Sequence, residues 1–227
     1  MKAIIITLIL LNTIAASCFG QGTNMKEKDH ISATINIVDS DAFNIKYFTP
    51  LKKRYEYEDL ISKIIPDSEY AYWEYVFKTP QSPDYRGKVT VRHGDSLRYS
   101  SIAAKINADD GFFHGCLPSR CFSYIVGIRA DKTIDLIDDG YKFESFIGHI
   151  DNIEEAISIV RVNDYWYDTD TIIGGAYKER ERDYLLYLLE YDNIQGTHAS
   201  VKAILTKEGK LNIIDKNIYK EGDFKIY

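Results

Sequence analysis

The chain has 227 residues, 45% of them hydrophobic and 27% charged, with a formal net charge of −6. This is a globular composition rather than a disordered one, long enough for one domain or two small ones. The acidic balance argues against general affinity for nucleic acid or an anionic membrane surface. Three cysteines exclude a disulfide-dense miniprotein and a four-cysteine zinc module.

Met1 and Lys2 give a short positive start. Residues 3–14 are apolar except for Thr7, Asn12 and Thr13, and the small residues Ala15, Ala16, Ser17 and Cys18 follow. This is the pattern of a secretory signal, and the apolar run is too short for a spanning helix of roughly 20 residues. Two cleavage sites stay open. A lipobox reading of Ala15-Ala16-Ser17-Cys18 makes residues 1–17 the signal and acylates Cys18. Ordinary cleavage after Gly20 makes residues 1–20 the signal and discards Cys18. Residues 21–30 read as a polar tether. Without residues 1–20 the chain keeps 27 basic and 34 acidic residues.

Residues 31–37 alternate apolar and polar side chains, the period of a half-buried strand. Residues 43–48 read as its hairpin partner. Thr49 and Pro50 look like an N-cap and first helical position, so a helix is expected over 50–65, stopped by Pro66. An aromatic strand follows over 70–77, with both faces apolar except at Glu74, which suits a covered central strand. Residues 79–87 are rich in turn formers. A short strand is expected at 88–92, then His93-Gly94-Asp95 as a turn and 96–106 as further strand, with helix as the alternative.

Cys116 and Cys121 stand in GFFHGCLPSRC, where Gly115 and Pro118 favour a turn that brings the sulfurs together. With Cys18 set aside they are the two remaining thiols, and in an oxidising compartment they are expected to form a disulfide. So short a loop contributes about 2 kcal/mol in the chain-entropy model. A redox-active pair and a metal site of His114, Cys116 and Cys121 are the alternatives. Residues 122–129 and 133–137 read as a hairpin. Residues 142–147 form a short helix closed by Gly148. Asp151 caps a second helix through residue 162, with Glu154 completing a capping box. Strands at 175–180, 184–191, 198–206 and 210–215 finish the chain, with Lys207-Glu208-Gly209 as the last hairpin turn.

The fold class is therefore α+β, mainly antiparallel sheet with two or three helices. Residues 31–227 make up the globular region, with a two-part pattern whose halves meet near 107–121.

The residues G-C-x-P-x-x-C from Gly115, the strand Tyr124-Ile125-Val126 and the run from Phe146 to Ala156 resemble uncharacterised exported proteins of bacteria, of lipoprotein type and without known activity. The resemblance implies localisation and no chemistry. The helix at 154–162 followed by a meander is similar in architecture to PepSY-like modules, small exported units linked to peptidase inhibition.

Nucleophile elbows, zinc-protease helices, P-loops and dinucleotide fingerprints are missing from the sequence. Asp164, Asp168 and Asp170, spaced D-x-x-x-D-x-D, are a candidate Ca²⁺ site, since Ca²⁺ takes oxygen ligands; a solvated acidic loop is the alternative. Tyr70, Tyr72, Trp73 and Tyr75, with Tyr165, Trp166 and Tyr167, are a candidate stacking surface, because such side chains join a rigid apolar body to a polar tip. Sheet core is the alternative. His149 beside Asp151 is a candidate acid–base pair, and the run from Lys178 to Asp183 reads as an exposed charged edge. The expected function is an exported, periplasmic or surface-anchored, non-catalytic module that binds a protein or envelope ligand. It needs no cofactor, binds no nucleic acid and meets the membrane only through an N-terminal lipid. The rival is a hydrolase of peptide or glycan working through carboxylates around 164–170 and the cysteine loop.

Overall fold

The computed structural model describes residues 42–51, 55–82, 85–116, 120–192 and 197–221. The leader, Cys18, the tether and the strand expected at 31–37 lie outside the described residues. In chain order the elements are β1 (Thr49–Pro50), α1 (Tyr57–Ile61), β2 (Tyr72–Lys78), β3 (Lys88–Gly94) and α2 (Ser96–Ala103). Then come β4 (Phe112–Gly115), β5 (Cys121–Ile128), β6 (Ile134–Ile137), α3 (Gly140–Ile147) and α4 (Ile153–Val162). The last four strands are β7 (Ala176–Glu179), β8 (Asp183–Asp192), β9 (Thr197–Thr206) and β10 (Leu211–Glu221).

These strands form two antiparallel sheets, so the chain is α+β and mainly sheet. The first runs β1-β7-β8-β9-β10; the second runs β3-β2-β5, with β4 and β6 both pairing the far side of β5. Alternation sorts the strand residues into separate cores. Trp73, Tyr75 and Ile125 of the second sheet share the largest core with Leu186, Leu188, Val201 and Ala203 of the first, and with α3 and α4. The other face of the second sheet, Tyr72, Val76, Tyr124, Val126 and Ile128, is covered by Tyr99 and Ala103 of α2. The other face of the first sheet carries Leu185 and Tyr187, packed under Phe43 and Phe48. Each such large apolar side chain contributes about 1.5–3 kcal/mol when fully buried.

Several expectations hold in detail. The β5–β6 hairpin pairs Ile125 with Ile137 and Ile128 with Ile134. Gly148 ends α3 at φ +64°, its N–H donating to the Glu144 carbonyl. Gly209 turns the chain between β9 and β10 at φ +85°. Helix α4 is buried on every side from Glu155 to Val160.

Other expectations are corrected. Residues 50–65 do not form one helix: Pro50 lies in the edge strand β1, paired with Ala176, a place where a missing N–H is tolerated. Among the described residues of this stretch only Tyr57–Ile61 is helical, with Glu58 and Asp59 favouring its N-terminus. Residues 43–48 form no strand; Ile45–Tyr47 is a 3-10 turn capped by the Asn44 side chain. The strand expected at 96–106 is α2, because the Asp95 carboxylate caps it by accepting from the Arg98 N–H at 3.1 Å. Four α-helices are present among the described residues rather than two or three.

The cap of α4 moves one residue along. Asn152 accepts from the Glu155 N–H at 2.9 Å, while the Glu155 carboxylate accepts from the Asp151 N–H and from the Ile65 N–H, both at 2.7 Å. Glu155 is fully buried, so it both caps its own helix and holds the end of the α1 segment. Residues 107–116 lead into β4 of the second sheet, and Cys116 is disulfide-bonded to Cys121 at the start of β5. Among the described residues no helix is long and apolar enough to cross a membrane.

Candidate functional site

β2 lies between β3 and β5 and is covered on both faces, yet it carries an acid in its middle. Glu74 is 1% exposed. A carboxylate out of water is tolerated only when paired and hydrogen-bonded. The register sets Arg92 of β3 directly opposite it, with Nε 3.5 Å from Oε2. The Tyr72 hydroxyl, two residues back on the same face, donates to Oε2 as well. Arg86 reaches Oε1 from the β2–β3 connection. Gly87 makes that return possible: its φ is +102°, and a Cβ there would sit 2.7 Å from the Phe77 carbonyl oxygen.

The rest of the network fixes Arg86. Its Nε donates to the Ile106 carbonyl at 2.8 Å, and the Tyr124 hydroxyl donates to its own carbonyl at 2.9 Å. Burial, and then the bond to Glu74, push the Tyr72 phenol up to about 12. Above this floor opens a cleft of about 630 Å³, lined by Tyr85, Arg86, Lys88, Arg92, Lys105 and Asn107 among others. Four of these are cations, and no acid lines the cleft among the described residues. Lys78 stands behind it, donating to Asn107 Oδ1 at 3.0 Å and the Ala108 carbonyl at 2.9 Å.

A second cleft, of about 470 Å³, lies at the β9–β10 turn and is lined by His149, Asp151, Glu179, Arg180, Glu181 and Lys207 among others. Its charges answer one another. Lys207 is 7% exposed, and its Nζ donates to Glu179 Oε1 at 2.7 Å and to the Tyr184 hydroxyl at 2.9 Å. The Tyr184 hydroxyl in turn donates to Glu179 Oε1 at 3.1 Å. The bond from Lys207 holds the Glu179 carboxyl below its usual range. Burial opposes the charge on Lys207, and the bonds to Glu179 and Tyr184 outweigh it and raise its pKa. Arg180 is clasped by both oxygens of Asp183, and His149 Nε2 is 4.0 Å from Asp151 Oδ1.

The chain matches no family model, no curated protein and no solved structure.

The seven aromatics read as one stacking surface are not brought together. Tyr72, Trp73 and Tyr75 are 0%, 4% and 1% exposed. They point alternately into two cores, because a strand covered on both faces exposes neither. The Tyr75 hydroxyl is spent on Ser123 Oγ at 2.7 Å, and Trp73 stacks on His93. Tyr70 is half-buried beside Phe146, its phenol raised to about 12 by burial and then by Asp135. Tyr165 packs against the main core, and the Tyr167 hydroxyl accepts from the Tyr55 N–H at 2.7 Å. Trp166 alone of the seven is exposed, at 45%, with the Arg161 guanidinium 3.2 Å from its ring centroid.

The aspartates are not gathered either. Asp168 accepts from the Asp170 N–H at 2.8 Å, and Asp164 turns the chain after α4 at φ +63°. Among the described residues no group of three or more His, Cys, Asp or Glu side chains is placed to hold a metal ion. That covers the Asp164, Asp168 and Asp170 set as a metal site. Cys116 and Cys121 form a disulfide, their Cα atoms 5.4 Å apart. His114 Nε2 pairs with Asp110 Oδ1 at 2.8 Å, which lowers the pKa of Asp110.

Sequence reasoning missed Arg86, Lys88, Arg92 and Lys105. One signal pointed to them. Glu74 interrupts an otherwise apolar strand, and a buried acid requires cations from elsewhere in the chain.

Proposed function

We propose that this protein is exported and acts, without catalysis of its own, as a binding module in the periplasm or at the cell surface. The disulfide between Cys116 and Cys121 carries the reading, since such bonds persist in oxidising compartments. The positive-then-apolar start of the chain supports it. So does the cleft beside α2, where Arg86 is anchored by Glu74 and the Ile106 carbonyl, as ligand-orienting groups are. The ligand is a protein or an envelope component. Lipid attachment at Cys18 provides the membrane link in the anchored form.

Fractionation, intact mass and thiol labelling of the natively expressed protein test this together. The expected product begins at acylated Cys18 or at Gln21 and has Cys116 and Cys121 oxidised. The acylated form loses membrane association on Cys18→Ala. Recovery from cytosol with Met1 in place and both thiols free would overturn the reading.

A further inference from the structure

We infer that the cleft between β3 and the end of α2 is a receptor for an anionic sugar, one bearing a carboxylate or a phosphate. The inference rests on the binding role proposed above and gives it a ligand class. Three observations carry it. The first is charge: a chain of net −6 gathers Arg86, Lys88, Arg92 and Lys105 around one cleft, with no acid lining it among the described residues. A concave cationic surface raises the local concentration of anions.

The second is preorganisation. One buried carboxylate, Glu74, holds two guanidinium groups at once, and Arg86 is fixed again by the Ile106 carbonyl. Glu74 is thus a positioning residue. Arg92 remains 54% exposed, a planar donor fork held at one edge and open to solvent. Such a fork matches the oxygens of carboxylate and phosphate. Lys88 and Lys105 add exposed ammonium groups at the rim.

The third is the aromatic wall. Tyr85 is 76% exposed. The Lys78 ammonium lies 4.6 Å from its ring centroid, and its hydroxyl reaches Asp109 Oδ1 at 3.4 Å. A held aromatic face beside a cationic rim accepts the C–H face of a sugar ring while its acidic group meets the cations. A space of about 630 Å³ suits a molecule of that size.

Calorimetry on the mature, oxidised protein at low salt tests this with four probes: glucuronate, glucose 6-phosphate, glucose and inorganic phosphate. The two anionic sugars separate carboxylate from phosphate as the source of charge, and binding of either one, with glucose silent, is the expected result. Lys88→Glu combined with Lys105→Glu abolishes the binding without lowering the melting temperature. Tyr85→Ala weakens it roughly tenfold. Arg180→Glu, in the other cleft, leaves it unchanged. The inference is overturned if neither anionic sugar binds, if glucose binds as well as they do, or if the double charge reversal keeps its affinity. Inorganic phosphate binding as tightly as glucose 6-phosphate, with Tyr85→Ala indifferent, overturns the assignment to a sugar. An exported, oxidised protein that ignores both sugars loses this ligand and keeps its proposed location. A reduced cytosolic protein that binds them does the reverse.

Discussion

At the cleft beside α2 the buried charge is an acid, Glu74, and the exposed charges are cations. At the β9–β10 turn the buried charge is a cation, Lys207, and its acid, Glu179, has a side chain 54% exposed. Both clefts are lined by arginine and lysine, but burial decides which sign faces solvent. Glu74 is shared by two guanidinium groups. Lys207 is matched by one carboxylate and a phenol, and Arg180 is matched by Asp183. The first arrangement sets four cations around one cleft. The second is closed on itself and pins the turn to β7 and β8.

Three measurements test this contrast. The largest effect is expected from Glu74→Ala, which removes the buried carboxylate shared by Arg86, Arg92 and the Tyr72 hydroxyl. Chemical denaturation should show a loss of about 3–5 kcal/mol. Lys207→Met keeps the apolar stem over Tyr184 and leaves Glu179 to be solvated, so a loss of about 1–2 kcal/mol is expected. Equal losses would show that the two buried charges are held alike.

The smallest effect concerns pH. Glu179 has a lowered pKa, so the stability from its bond to Lys207 is whole above the ordinary value of 4.5 and is lost as pH falls through the lowered one. Glu155 has the opposite sign. Its burial raises the pKa against the backbone N–H groups that lower it, so its contribution is whole below 4.5 and is lost as pH rises through the raised value. Melting temperature against pH, compared between the parent and Glu179→Gln, should show a shallower acid decline in the variant. An unchanged decline would assign the acid sensitivity to other carboxylates.

The sequence made strands of long alternation or continuous apolar character legible. The β5–β6 hairpin, β8 and β9 follow directly from their side chains. It misled where an apolar residue had no core to enter. Leu97 alternates with Tyr99 as strand residues do, but it lies on the open side of α2 and is 99% exposed, while Tyr99 and Ala103, four apart, face the sheet. Thr49-Pro50 carries the same residues as a helix start and instead closes a sheet edge, a choice made by Ala176 and Tyr177 more than a hundred residues away. The aromatic run of β2 was readable as a strand but not as a surface or a core, because that depends on what covers it. The cationic cleft was hidden for the same reason: Glu74, Arg86, Arg92 and Lys105 are spread over 32 positions and meet only through strand register and the turn after α2.

The final strand bears on how the molecule behaves in company. Among the described residues β10 is an 11-residue border of the first sheet, long enough to template pairing with another chain. Its register against β9 slips twice, between Ile213 and Asp215 and again between Ile218 and Lys220. Each slip coils the border and interrupts the row of outward-facing backbone groups. Concentrated solutions should therefore stay free of fibrils seeded from this end, and deleting Ile214, which removes the first of the two slips, should make the rim stickier.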